Sequence, residues 1–174
     1  HDSAHVLAAY PQGIDQLKET LHWQDLIAQR YAGIQPPRHS AEEQSALFQV
    51  LRHLHAEQAH VLAKLSWSSP GSSDPLYLIE NNELRNYYAD LIGEIAASHH
   101  WSPDETARKF RDRQVPCPAF LGVDAWEVDA LKIAFLLRTA DAAHLDDLRA
   151  PWFLFALRQP QGISATHWRF QAKL

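Results

Sequence analysis

The sequence predicts an all-α domain, and three observations carry that prediction. Apolar residues recur at three- and four-residue spacing along most of the chain. Ser and Asp N-cap signals stand in front of those runs, and Pro and Gly fall between the runs. Alternation with a period of two is confined to the tail, so the expectation is a helical bundle with a short C-terminal β-leaning extension.

Taken in order, Ser3 to Tyr10 is a short start that stops at Pro11 and turns at Gly13. Asp15 to Tyr31 reads as one helical stretch, interrupted by Pro36-Pro37. Ser40 with Glu43 forms a capping box, and Leu47, Val50, Leu51, Leu54, Val61, Leu62 and Leu65 follow on one stripe. Ser68 to Asp74 is a polar loop. A further helix runs from about Asn82 to His100, with Leu84, Tyr87, Tyr88, Leu91, Ile92 and Ile95 as its stripe. Ser102 caps a short helix with Pro103 at the first position, where the missing N–H costs little. Asp124 with Glu127 is read as the start of the next helix. Its segment Val128 to Leu137 is apolar nearly all round, the pattern of a central buried helix. Pro151 ends it. Phe153 to Leu157 and His167 to Leu174 read as two strands of a hairpin around Gly162. The domain reading is therefore residues 1–151, with 152–174 as an extension.

The bulk numbers fit an ordinary globular domain: 174 residues, 46% apolar and 21% charged. A net charge of −5 without a basic stripe does not suit duplex nucleic acid or an anionic membrane. No apolar run reaches the roughly 20 residues that span a bilayer. The single cysteine, Cys117, excludes an internal disulfide, and the natural reading is a reducing, cytoplasmic setting. A chain that begins at His1 and contains no methionine reads as a segment of a longer protein. Its eleven histidines are a rich supply of the commonest metal ligand.

Helical geometry sorts those histidines at about 100° per residue. His55 falls on the flank of the apolar face of its helix, with His53 and His60 opposite. His99 follows Ile92 and Ile95 on the apolar stripe, while His100 turns toward solvent. His22 and His39 read as surface. Asp141 lies in register with Ala134 and Leu137 on the apolar helix, where an unpartnered carboxylate would cost several kcal/mol. A cation would resolve that cost, and so would Arg138 or Arg149. His1 and Asp2 offer adjacent nitrogen and oxygen ligands. Mixed imidazole and carboxylate donors suit Mn, Fe, Ni, Zn or Mg. One inward histidine alone is more commonly a hydrogen-bonded core residue; it is the combination that favours a metal. Cys117 sits between two prolines without CxxC spacing and reads as structural.

Four words of the sequence carry a resemblance. HDSAH (His1 to His5), LRHLHAEQA (Leu51 to Ala59), ASHHW (Ala97 to Trp101) and LLRTADAAHLDDLRAP (Leu136 to Pro151) stand in an order that resembles the His-Asp (HD) superfamily of metal-dependent phosphohydrolases. The last word looks like the LLRxADALDxxxxRAP segment of a subgroup often fused to a GHKL-type ATP-binding domain. The resemblance implies an HD-like bundle and a divalent ion held by His1, Asp2 and Asp141. His55 and His99 would bind a second ion or the substrate phosphate. Asp2, Glu57 and Arg149 are the catalytic candidates it suggests: Glu57 as general base or as a partner orienting a ligand, Arg149 near the phosphate; Glu57 reads equally as a surface charge and Arg149 as a partner for Asp146. In this family the ion acidifies a bound water and polarises a phosphoryl oxygen. The implied substrate is a small phosphate ester, above all a nucleotide, and the implied partner is a GHKL-type ATPase domain in the same longer chain. Two departures stand out: the family's further upstream histidine is not in this chain, and Ser3-Ala4 replaces Ile-Gly. The alternatives are a degenerate HD domain that senses a metal or nucleotide and regulates a fused ATPase, and a helical interaction module.

Overall fold

Local capping fixes most helix starts in the computed structural model, which describes residues 2–68, 71, 73–123, 125–143, 155–157 and 162–171. The chain divides into two compact units, His1–Ala134 and Phe135–Leu174.

The first unit opens with two 3-10 turns, Asp2–His5 and Leu7–Ala9. The stretch expected as one helix is two, α1 (Gly13–Lys18) and α2 (Leu21–Tyr31). The break falls at Thr20, whose backbone is extended and whose hydroxyl accepts from Trp23 N at 3.2 Å. A residue able to cap competes with helix continuation. α3 (Ala41–Leu62) starts as expected at Ser40, whose Oγ accepts from Glu43 N at 3.1 Å. Asn81 caps α4 (Asn82–Ala97), which tightens into a 3-10 turn at Ser98–His100. Ser102 caps α5 (Pro103–Phe110).

Two antiparallel hairpins of three-residue strands were not foreseen. β1 (Ser66–Ser68) pairs with β2 (Pro75–Tyr77), and β3 (Gln114–Pro116) with β4 (Glu127–Asp129). Strands so short show too few residues to reveal a period. β4 occupies the place read as a helix start. The following helix α6 begins at Ala130, with Asp129 Oδ1 accepting from Lys132 N at 2.9 Å. α6 (Ala130–Ala143) is also less buried than its composition implied: Ala130 and Ala134 are buried, whereas Ile133, Phe135 and Leu136 are exposed.

The core of the first unit gathers Leu17, Trp23, Ile27, Ala46, Val50, Leu54 and Leu62 with Ala4, Ala9 and Tyr10. Two buried polar groups there are matched, whereas the Tyr10 hydroxyl has no hydrogen-bond partner among the described residues. Trp23 Nε1 donates to Gln35 Oε1 at 3.0 Å, and the Glu43 carboxylate accepts from Lys18 Nζ at 2.9 Å and His39 N at 2.7 Å. Two long side chains hold the N-terminal turns: Gln58 Nε2 donates to Ala9 O at 2.6 Å and Trp67 Nε1 to Ala8 O at 2.5 Å.

α3 and α4 form the most extensive helix pair of this unit. They run antiparallel: His55 faces His99, the His60 backbone meets Gly93, and Lys64 pairs with Asp90. The α4 face turned inward is built on Ala89, Leu91, Gly93, Ile95 and Ala97, while Tyr87 and Ile92 of the expected stripe are exposed. Leu91 and Ile95 of that stripe are buried as expected, and close helix approach adds the small residues Ala89, Gly93 and Ala97 beside them.

In the second unit, residues 155–157 and α7 (Gly162–Gln171) are helical where a hairpin was expected. Three alternating positions are too few to arbitrate between periods, and Ala165, Arg169 and Gln171 are good helix formers. The Phe155 and Trp168 rings meet within this unit, 6.0 Å between centroids.

Candidate metal centre

Two helical carbonyls determine what the central imidazoles can do. His55 lies on α3, 6% exposed, with Nδ1 2.6 Å from Arg52 O. His99 lies in the 3-10 turn after α4, half-buried, with Nδ1 against Ala96 O. A carbonyl only accepts, so each Nδ1 carries the proton that faces it, and in a neutral ring Nε2 is then the nitrogen open to a ligand. Those two Nε2 atoms face one another at 2.8 Å, a spacing at which they can share a proton or ligate one cation.

The arrangement fits a metal on its own geometry. Two imidazoles on one ion at bond lengths of about 2.0–2.1 Å place their nitrogens about 2.9–3.3 Å apart for angles from 90° to tetrahedral. The observed separation is close to the lower value. Anchoring the distal ring nitrogen on a backbone carbonyl is also how metal-binding histidines are commonly held. A third imidazole joins them: ligand atoms of His55, His99 and His100 all lie within 4.8 Å of one another. His5 stacks on the His55 ring, 3.8 Å between centroids and 22° between planes.

Burial lowers the His55 pKa to about 4, with repulsion from His5, His100 and His99 adding to it and the Arg52 carbonyl opposing. His55 is therefore neutral at physiological pH, the state in which an imidazole can ligate a metal. Beside the cluster lies a cavity of about 430 Å³, lined by His53, Glu57, His60, Val61, His100 and Trp101, with Ala56 and Ala97 completing the wall.

The residues expected in the site fare differently. His55 and His99 are brought together. Glu57 is exposed on the wall of the cavity that His100 also lines. Asp2 belongs to the first 3-10 turn, and His1 and Arg149 lie outside the described residues. Asp141 is half-buried on α6, in the second unit, rather than fully buried. His53 is exposed and stacks with His22 at 6.0 Å, a surface position as expected.

Two residues were missed. His100 was turned to solvent by counting about 100° per residue, but residues 98–100 form a 3-10 turn at about 120° per residue. It remains exposed on its cavity side while still reaching the cluster. His5 had no signal beyond its place in the word HDSAH.

Fold and site together define a helical domain built around a histidine cluster of metal-binding character. The HD-CE family model matches residues 1–174, and the chain belongs to that family. Searches of the curated proteins and of the solved structures returned no match. No helix among the described residues is long and apolar enough to cross a membrane.

Proposed function

We propose that this chain is a metal-dependent phosphohydrolase domain acting on small phosphate esters, nucleotides first among them. The observation that carries the reading is the grouping of His55, His99 and His100, with the Nε2 atoms of the first two brought together while their distal nitrogens are fixed on carbonyls. A divalent ion, when bound, supplies Lewis acidity toward a phosphoryl oxygen and makes water more acidic at neutral pH.

The chain's own groups have separate tasks. His55 and His99 hold the ion, and His100 approaches from the cavity side. The family resemblance assigns His1, Asp2 and Asp141 as metal ligands and Arg149 to the charge on the phosphate. Glu57, on the cavity wall, is positioned to accept a proton or to bind a donor on the alcohol part of the substrate. The cavity of about 430 Å³ is of the size that takes a small organic group. A GHKL-type ATPase domain elsewhere in a longer chain and a reducing, cytoplasmic setting belong to the same proposal.

The test is hydrolysis of para-nitrophenyl phosphate and a nucleotide panel by chelator-stripped protein, before and after adding Mn, Fe, Ni, Zn or Mg. Activity should appear only with metal and vanish in His55→Gln, His99→Gln and Asp141→Asn, with the exposed His22→Ala unaffected. Turnover that ignores the chelator, or persists in His99→Gln, would overturn the reading. Metal binding without hydrolysis of any ester would favour the regulatory alternative.

A further inference from the structure

We infer that Gly93 is a positioning residue for the His55–His99 pair: the close crossing of α4 over α3 that only glycine permits sets the gap between the two imidazoles. The inference rests on the reading of that pair as a cation seat. At the crossing, a Cβ on Gly93 would lie 2.0 Å from His60 O and 2.8 Å from His60 C. Both atoms are backbone within a helix, so no side-chain rotation relieves the clash. Any larger residue must push the helices apart.

That separation is transmitted to the imidazoles by short, rigid connections. His55 lies on α3 about 7–8 Å along the axis from His60, and His99 about 9 Å along from Gly93, at roughly 1.5 Å rise per residue. Each ring is then tied to its own helix, His55 to Arg52 O and His99 to Ala96 O. Neither ring can swing to follow a receding partner without giving up that carbonyl. Buried Ala56, Ala59, Ile95 and Ala97 lie between the crossing and the imidazoles, three of the four with only a methyl side chain. A shift of a few tenths of an ångström at Gly93 therefore appears at the Nε2–Nε2 separation, now 2.8 Å.

Ala89 provides a control. It is buried on α4 on the other side of the crossing and lines a different cavity with Lys64 and Asp90. Ala89→Val perturbs the same helix pair at the end remote from the imidazoles.

The experiment is a Co²⁺ titration of chelator-stripped protein, followed by visible absorption, with far-UV circular dichroism and thermal midpoints on every variant. Gly93→Ala should bind Co²⁺ at least tenfold more weakly than wild type, within the roughly 10–100-fold range for loss of ligand positioning. Ala89→Val should keep wild-type affinity despite a lowered midpoint. If Gly93→Ala is not helical, Ala97→Val takes its place, widening the same end of the helix pair, with the same loss expected. Wild-type affinity in folded Gly93→Ala or Ala97→Val, or an equal loss in Ala89→Val, overturns the inference. A wild-type protein that binds no Co²⁺ instead overturns the cation seat itself, and the positioning role with it.

Discussion

Removing metal should make the stability of this protein fall steeply between neutral pH and about pH 4, with His55 as a main cause. Its folded pKa is about 4 against an ordinary value of 6.5, chiefly because the ring is buried. Between those values the unfolded chain binds a proton that the folded chain refuses, so stability is full above about pH 6.5 and declines as the pH drops. One proton corresponds to about 1.4 kcal/mol per pH unit. Working from the two pKa values, the loss is about 2 kcal/mol by pH 5 and about 3 kcal/mol by pH 4. Urea unfolding in excess chelator, followed by far-UV circular dichroism across that range, measures it directly. The other histidines titrate too, so the informative quantity is the difference between wild type and His55→Gln. That difference should shrink by the stated amount on acidification. Parallel curves for the two proteins would refute the argument that burial holds this ring neutral.

Two further outcomes follow from local structure. Lys18→Met leaves the nearly buried Glu43 carboxylate with only the His39 N–H as donor, at a cost of about 1–3 kcal/mol in urea unfolding near neutral pH. The Lys18 partner holds the Glu43 pKa low, so the difference should persist above the unfolded pKa of about 4.3 and fade below it. Thr20→Ala removes the cap that restarts the chain as α2 and should lower stability by about 1 kcal/mol, with Thr20→Ser restoring most of it.

What could be read from the sequence was whatever depended on neighbours along the chain. Ser40 and Ser102 announced their helices because a hydroxyl and the N–H three residues on are a local pair. His55 could be assigned inward because α3 is regular along its length. His100 was read as turned to solvent and is exposed, but its reach to His55 and His99 was missed, since nothing local marked the 3-10 turn at Ser98. Part of the α4 face was misjudged for a different reason. Apolar bulk marks a buried stripe, but contact through Gly93 and Ala97 depends on the absence of bulk. That requirement belongs to the partner helix, not to α4. The same limit applied to Asp129, whose capping role depended on a strand that pairs with Gln114–Pro116.

The two side chains that grip the N-terminal turns bear on how the cluster assembles. α3 and α4 are joined through the β1–β2 hairpin, and the His55–His99 pair forms when the two helices pack. His5 reaches His55 only on a segment whose carbonyls at Ala8 and Ala9 are held by Trp67 and Gln58, some 59 and 49 residues away along the chain. Those loops are of the same order as the 44 residues between His55 and His99, so loop closure costs much the same for both sets of contacts. What differs is the dependence: His5 keeps its place beside His55 only while α3 and β1 hold the two carbonyls.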